Sequence, residues 1–340
     1  MKFVAVAING ILDLKNFYPL SIELRTKHGI WVDVIGHKPG LEAIERSYDG
    51  LIVGSDWNQN APIVDAFNKS GKPTILVQSE GMFIDEALWY VGTTPRCLLS
   101  CVWGPEHEAI FRKRGYKGKI IVSGPPRFDT YYNFRPVMTK GDVYKTLGLA
   151  DLSKPYILYV GQFFHIAEFG EALYNQQVEL TKFAAQTGAS FYGIIKSHPQ
   201  ETPANFFSRE SVIEQQGQDH IKIIDQSGHS EAVEISTLIY YSKCVVTFSS
   251  TAAIEAIHLD IPAAIYCSIL QSPLSDGRLA SLPSISTQEE LARVISSISK
   301  KDALTEFTSR FLPGSITGKF TSSTAQAIKD FTKQMSSKHC

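Results

Sequence analysis

Short apolar runs rich in Val, Ile and Ala alternate with segments of helical character along almost the whole chain. Each run has the length of a strand buried on both faces, and strands that alternate with helices form parallel sheets. In the first half, strands are predicted at Lys2–Ile8, Trp31–Ile35, Leu51–Val53, Thr74–Gln78, Leu98–Trp103 and Lys119–Ser123. In the second half, they are predicted at Tyr156–Val160, Phe191–Ile195, Ile221–Ile224, Val245–Phe248 and Ala263–Tyr266. The pattern predicts the α/β class, with two Rossmann-like, doubly wound domains facing each other across a cleft.

The stretch Tyr131–Lys154 separates the two series and holds one short predicted helix and no strand. A chain of 340 residues also exceeds what one hydrophobic core usually supports, so two domains are expected. We predict an N-terminal domain over residues 1–135 and a C-terminal domain over residues 150–312. A last helix over residues 320–336 is expected to pack back on the N-terminal domain.

A basic and polar signature, Lys196-Ser197-His198-Pro199, follows the predicted strand Phe191–Ile195. The carboxyl ends of strands border the crevice where open α/β sheets bind ligands. Pro199 fixes the direction of the chain, and His198, which titrates near neutral pH, can donate to a phosphate or a base carbonyl. Lys196, His198 and Pro199 are therefore expected to border the phosphate of a nucleotide. The alternative is a histidine with a structural role in the core.

A second signature, Ser249-Ser250-Thr251, follows the predicted strand Val245–Phe248 and precedes a run of helix formers. At a helix N-terminus, free backbone N–H groups favour a phosphate, and hydroxyls add donors without bulk. Glu255, one turn further, can accept hydrogen bonds from the hydroxyls of a sugar. The same serines and threonine would also serve as an ordinary helix cap. Two signatures on two strand ends nevertheless predict one nucleotide site in the second half.

Three short motifs occur in the order Ser79-Glu80-Gly81, His198-Pro199 and Ser249-Ser250. Together with the stretch Val102–Asp129, they resemble the GT-B glycosyltransferase superfamily, in particular bacterial sialyltransferases, polysialyltransferases and capsule Kdo transferases. The resemblance covers most of the chain, but Ser79 stands where those sialyltransferases usually carry a second acid. It implies an acceptor domain followed by a donor domain. It further implies a CMP-activated donor of Kdo, sialic acid or a related sugar, and a surface glycan or lipid-linked acceptor.

Transfer from a nucleotide-activated sugar needs a stabilised leaving phosphate and a carboxylate that deprotonates the acceptor or attacks the sugar. Glu80, directly after the Thr74–Gln78 strand, is predicted to be that carboxylate, with Asp56 as the second choice. His198 is predicted to act with it at the phosphate. Because loops after the first strand of the second domain commonly cover the donor in this superfamily, Gln162 and His165 are expected to contact the donor phosphates.

Charge and cysteine content exclude other classes of function. The formal net charge is −1, so no global field attracts nucleic acid. The five cysteines are expected to be free thiols, with Cys97, Cys244 and Cys267 packed as small hydrophobes. Cys97 and Cys101 are not accompanied by a second pair at zinc-ligand spacing, so no metal or other cofactor is expected. No leader or membrane-spanning segment is evident, which favours a cytoplasmic protein with at most peripheral contact with the inner face of the membrane.

Two other classes of function stay open. A UDP-sugar transferase, a UDP-GlcNAc 2-epimerase-like enzyme or a CDP-glycerol-type phosphotransferase would use the same donor site, because Ser249, Ser250 and Glu255 suit any nucleotide diphosphate. A non-catalytic binding or assembly protein of the same fold is the other alternative. Outside the donor site, Arg127 and Asp129 are expected to pair and fix the corner between the domains.

Overall fold

The structure is a computed structural model that describes residues 1–8, 10–38, 40–56, 58–79, 95–161, 170–188, 190–197, 220–224, 233–248, 250–267, 282–297, 312–313 and 318–337. The chain divides into two compact units. Unit 1 joins Met1–Asn133 to the C-terminal segment Thr305–Cys340, and unit 2 is Phe134–Leu304.

Unit 1 is built on a parallel sheet. Its described strands are β1 (Lys2–Ala7), β2 (Trp31–Gly36), β3 (Gly50–Val53), β4 (Thr74–Val77), β5 (Leu99–Val102) and β6 (Lys119–Val122). Their order across the sheet is β2-β1-β3-β4-β5-β6, and each neighbouring pair is parallel. The chain passes from β1 to β2 on one side and then crosses to β3 on the other. The order therefore reverses beside β1, as in a doubly wound sheet.

Unit 2 contains a second parallel sheet. Its described strands are β7 (Tyr156–Val160), β8 (Tyr192–Lys196), β9 (Ile221–Ile224), β10 (Cys244–Thr247), β11 (Ala263–Tyr266) and β12 (Ser284–Ile285). Their order is β12-β11-β10-β7-β8-β9, again with parallel neighbours. Here the order reverses between β7 and β10. The predicted α/β class with two Rossmann-like units is confirmed.

Helices flank both sheets. In chain order, the described helices are α1 (Ile11–His28), α2 (Ala61–Lys69), α3 (Pro105–Lys113), α4 (Lys140–Thr146), α5 (Gly170–Ala185), α6 (Ile235–Tyr241), α7 (Ala252–His258), α8 (Gln288–Ser297) and α9 (Phe320–Ser337). Short 3-10 segments lie at Leu41–Ser47, Asn58–Asn60 and Pro126–Tyr131. None of the described helices combines the length and the apolar character needed to cross a bilayer.

Local sequence explains where several helices begin and end. Helix α1 ends at Gly29, whose left-handed backbone (φ 67°) lets its own N–H and that of Ile30 bond back to the last turn. Helix α8 begins with a reciprocal capping pair. The Glu290 carboxylate accepts from the Thr287 N–H at 3.1 Å, and the Thr287 hydroxyl accepts from the Glu290 N–H at 3.2 Å.

The strands predicted from the sequence are all present, with ends that differ by at most one residue. Strand β12 was not predicted. It has the two residues Ser284 and Ile285, too few to produce a periodic pattern, and it forms because they pair with Ile265 and Tyr266 of β11. Tertiary pairing therefore decides this edge strand, and local propensity does not.

Helix α9 contributes to the hydrophobic core of unit 1. Its Ile328 and Phe331 are buried in one cluster with Phe3 of β1 and with Phe17 and Leu20 of α1. Burial of such side chains is the main stabilising contribution in a domain of this size. The C-terminal segment of the chain thus completes the core that the N-terminal segment begins.

Candidate functional site

Three strand ends meet where the strand order of unit 2 reverses. Val160, the last residue of β7, pairs in register with Lys196 of β8 on one side and Thr247 of β10 on the other. Neighbouring strands lie about 4.8 Å apart, so the Cα atoms of Lys196 and Thr247 are about 10 Å apart. Open α/β sheets bind ligands at such reversals. The strand ends that carry the two polar signatures therefore lie at one edge of one sheet.

A chain of hydrogen bonds fixes the turn after β10. The Thr247 hydroxyl donates to the Val160 carbonyl at 3.0 Å and accepts from the Ser250 N–H at 3.2 Å. The Ser250 hydroxyl in turn accepts from the Ala252 N–H at 3.2 Å. The Ser250 hydroxyl thus satisfies the N–H of Ala252, the first residue of α7, and Thr247 holds this turn against the end of β7.

Glu255 is the most unusual residue of this edge. It lies in helix α7, where its backbone N–H donates to the Thr251 carbonyl at 3.0 Å. Its side chain is 6% exposed, and among the described residues its Oε2 atom has no hydrogen-bond partner. Burying a carboxylate oxygen without a donor is costly. The Oε2 atom of Glu255 is therefore a buried acceptor that hydroxyl or N–H donors of a ligand can satisfy.

The structure describes some of the predicted donor residues. Lys196 is half-buried at the end of β8, and its carbonyl accepts from the Gly161 N–H at 2.9 Å. Ser250, Thr251 and Glu255 lie at the start of α7. The remaining predicted site residues fall outside the described residues, and their roles stay predictions: Glu80, Gln162, His165, His198, Pro199 and Ser249.

Asp56, the second choice for the catalytic carboxylate, is fully buried in unit 1. Its Oδ2 atom accepts from the backbone N–H groups of Arg96 and Cys97, at 2.5 and 2.8 Å. These bonds hold the segment that leads into β5. They are structural contacts of a kind that stabilises a buried carboxylate. The catalytic role of Asp56 stays a prediction.

The prediction of an ion pair between Arg127 and Asp129 is wrong. Asp129 accepts instead from the backbone N–H groups of Phe320 and Thr321, at 2.9 and 2.7 Å, at the start of α9. The Arg127 guanidinium points elsewhere and lies over the Trp103 ring. Gln78, which contacts Trp103, was not predicted from the sequence. The signal that could have found it is its position directly after β4, at the carboxyl edge of the sheet.

The four cysteines that the structure describes are free, and burial sets the chemistry of three of them. Cys97, Cys101 and Cys244 are buried, which raises the pKa of the Cys97 thiol and raises the pKa of both Cys101 and Cys244 to about 12. Cys267 is exposed, so its prediction as a packed hydrophobe is wrong. It follows the last residue of β11, where the chain leaves the sheet. Across the described ranges, no group of His, Cys, Asp and Glu is placed to hold a metal ion.

Solved structures resemble the whole chain. S. aureus MnaA, solved with UDP, has a TM-score of 0.68 and 14% sequence identity, over 98% of this chain and 97% of that chain. UDP-GlcNAc 2-epimerase from Neisseria meningitidis, solved with UDP-GlcNAc, has a TM-score of 0.64 and 13% identity, over 96% and 99%. The wall teichoic acid polymerase TagF, solved with CDP-glycerol, has a TM-score of 0.62 and 15% identity, over 98% and 90%.

No protein-family model and no curated protein sequence matches the chain. At these identities, the structural similarity establishes the fold. The expected fold is confirmed: the chain has the GT-B type of fold, with two Rossmann-like units that each contain a parallel sheet.

Proposed function

We propose that the chain is an enzyme that acts on a nucleotide-activated sugar and binds the nucleotide in unit 2. The observation that carries this proposal is the buried Glu255 carboxylate, whose Oε2 atom lacks a hydrogen-bond partner among the described residues. It lies on the helix that follows β10, beside the reversal of strand order. Ribose hydroxyls are neutral donors that would satisfy such a carboxylate through charge-assisted hydrogen bonds.

The neighbouring residues support an arrangement for the rest of the donor. Lys196 is a cation at the end of β8, two strands from Ser250, and would stabilise the negative charge of a phosphate. His198 and Ser249 follow these strand ends in the sequence and would add donors to the same phosphate. Glu80 is our proposed carboxylate for deprotonating the acceptor or attacking the sugar.

The reaction that we propose first is transfer of a sugar such as Kdo or sialic acid from a CMP-activated donor to a surface glycan or lipid-linked acceptor. It rests on the three motifs at Ser79-Glu80-Gly81, His198-Pro199 and Ser249-Ser250. A second candidate is UDP-GlcNAc 2-epimerase-like chemistry or another UDP-sugar reaction. It is favoured by the similarity over the whole chain to structures solved with UDP and UDP-GlcNAc. Similarity to TagF brings CDP-glycerol into the same comparison.

Thermal unfolding with CMP, CDP, UMP and UDP tests the site and separates the candidates, because a ligand of the folded state raises its melting temperature. Selective stabilisation by CMP supports the CMP-sugar transferase. Selective stabilisation by UDP supports the UDP-sugar enzyme, and selective stabilisation by CDP supports a CDP-glycerol enzyme. If none of the four nucleotides raises the melting temperature, the proposed donor site is wrong.

Glu255→Gln keeps the size of the side chain and removes its charge. We expect it to weaken nucleotide binding about 10- to 100-fold, the range for a lost charged hydrogen bond. Without ligand its melting temperature should stay at or above that of the wild type, because an unpartnered buried carboxylate is removed. Glu289→Gln, at an exposed position of helix α8 in the same unit, is the matched control. Equal binding by both variants would remove Glu255 from the site.

A further inference from the structure

Unit 1 holds a buried guanidinium, that of Arg127, which forms no ion pair with an acid among the residues that the structure describes. Arg127 is 2% exposed and lies in the 3-10 segment Pro126–Tyr131 that follows β6. Among the described residues, its Nε and Nη1 atoms have no hydrogen-bond partner. Asp129, two residues further, bonds to the start of α9 instead. A buried charge without a partner is costly, so its retention calls for an explanation.

A hydrogen bond fixes the backbone of Arg127, and two aromatic rings pack near its planar guanidinium group. Its backbone N–H donates to Asn16 Oδ1 at 3.1 Å. The guanidinium carbon lies 5.0 Å from the centroid of the Trp103 ring and 5.1 Å from that of Phe128. Aromatic faces stabilise a guanidinium by cation–π contact and leave its N–H groups directed along the edge. That edge is the part which binds the two oxygens of a carboxylate or phosphate.

Gln78 supplies a second buried donor to the same cluster. It is 4% exposed, directly after β4. Its side-chain Oε1 atom accepts from the backbone N–H of Trp103 at 3.3 Å, and its backbone carbonyl accepts from the indole N–H of Trp103 at 2.7 Å. The first bond fixes which end of the amide is oxygen. Its Nε2 atom then lacks a hydrogen-bond partner within the described part of the chain.

We propose that Arg127 and Gln78 form a binding site for an oxyanion, a carboxylate or phosphate group of a small molecule, in unit 1. Both side chains contact Trp103, both are more than nine-tenths buried, and both present N–H donors without acceptors. Strands β4, β5 and β6 are neighbours in the sheet, so their carboxyl ends bring the cluster together. This proposal does not depend on the nucleotide site proposed in unit 2.

Thermal unfolding in phosphate and in acetate, each against chloride at equal ionic strength, tests the site. At a tenfold excess over its Kd, the bound anion should raise the Tm of the wild type by about 3 °C. A response to phosphate assigns a phosphoryl group to the ligand, and a response to acetate assigns a carboxylate. A wild type that responds to neither anion overturns the proposal.

Arg127→Met removes the donors and keeps an unbranched side chain against the two rings. We expect it to lose the anion response while its Tm in chloride stays within about 1 °C of the wild type or rises. Arg127→Lys keeps the charge without the planar fork and should respond more weakly than the wild type. The matched control is Arg25→Met, which removes an exposed arginine that also lies over a tryptophan, Trp31, at 3.8 Å. It should keep the full response.

Two results would overturn the site. The first is an anion response that survives in Arg127→Met, whether or not its Tm in chloride falls, since that marks a purely structural arginine. The second is loss of nucleotide stabilisation in Arg127→Met, since the anion response would then not be independent of the nucleotide. Glu255→Gln should retain the anion response, so failure of the nucleotide site leaves this test intact.

Discussion

The Asp129 carboxylate caps the helix that begins at Phe320, with its Oδ1 atom 2.9 Å from the Phe320 nitrogen. Its Oδ2 atom lies 2.7 Å from the nitrogen of Thr321. The first N–H groups of a helix lack partners within the helix, and a negative charge there also interacts favourably with the helix dipole. One side chain therefore fastens the C-terminal helix α9 to the end of the first sheet.

Removing this cap should loosen helix α9. We expect Asp129→Ala to lower the free energy of unfolding by about 1–3 kcal/mol, because two buried or half-buried N–H groups lose a charged acceptor. Urea denaturation measures the change. The matched control is Asp330→Ala, at an exposed position on the same helix, where we expect a change of about 0.5 kcal/mol or less. Equal losses in the two variants would contradict the capping role.

Gly124 lies where helix α9 approaches the end of β6. Its backbone is left-handed (φ 76°), and a Cβ atom there would overlap the Phe320 ring. We expect Gly124→Ala to lower the free energy of unfolding by about 3 kcal/mol or more, since backbone strain adds to displacement of a buried ring. Calorimetry or urea denaturation measures the loss.

Gly29→Ala separates these two contributions. Gly29 is also left-handed, but a Cβ atom there would meet no atom within 4 Å. The control should therefore lose about 1 kcal/mol, the cost of backbone strain alone. If Gly124→Ala were as stable as the control, Phe320 would not be held against Gly124.

The strands could be predicted from the sequence, because a strand buried on both faces of a parallel sheet must be an apolar run. The pairing of Asp129 could not. Its partner Phe320 lies 191 residues away, whereas Arg127, the partner that local sequence predicts, is two residues away. In the 3-10 segment Pro126–Tyr131, residues two positions apart point in different directions. Sequence proximity was therefore a poor guide to contact.

That the two polar signatures lie at one edge of one sheet could also be predicted, since open α/β sheets place such residues at strand ends beside a reversal of strand order. The burial of Glu255 could not be predicted, because that depends on how helix α7 packs. The shared contact of Gln78 and Arg127 with Trp103 could not be predicted for a related reason. The two side chains reach Trp103 only when three neighbouring strands align, and no local pattern records this.

Asp56 and Asp65 bind the same residue in different ways, which makes them a matched pair. Asp56 is buried and accepts from the Arg96 backbone N–H, whereas the Asp65 carboxylate forms a half-exposed ion pair with the Arg96 guanidinium at 2.8 Å. We expect Asp56→Ala to cost about 3 kcal/mol of unfolding free energy, because buried N–H groups lose their acceptor. Asp65→Ala should cost about 0.5 kcal/mol. Urea denaturation of both variants gives the comparison, and equal small losses would free Asp56 for a different role.

The stability of unit 2 should depend on pH through His258, the last residue of helix α7. A helix C-terminus favours a protonated ring, but burial outweighs this effect and lowers the pKa of His258 from 6.5 to about 3. Between these values the unfolded chain binds a proton that the folded protein does not. The contribution to stability is therefore complete above pH 6.5 and is lost as the pH falls toward 3.

His258→Gln removes this titration and keeps a polar side chain. Below about pH 6, the wild type should lose up to about 1.4 kcal/mol of unfolding free energy per pH unit from this group, and the variant should lose that much less. Urea denaturation from about pH 7 to about pH 5 compares the two slopes, with other titrating groups common to both proteins. The Nε2 atom of His258 is shut off from solvent, so the difference should be close to the full value for one proton. If the unfolding free energies of the two proteins change equally with pH, the His258 ring is protonated in the folded protein. The ring would then be accessible to solvent, which contradicts its burial at the end of helix α7.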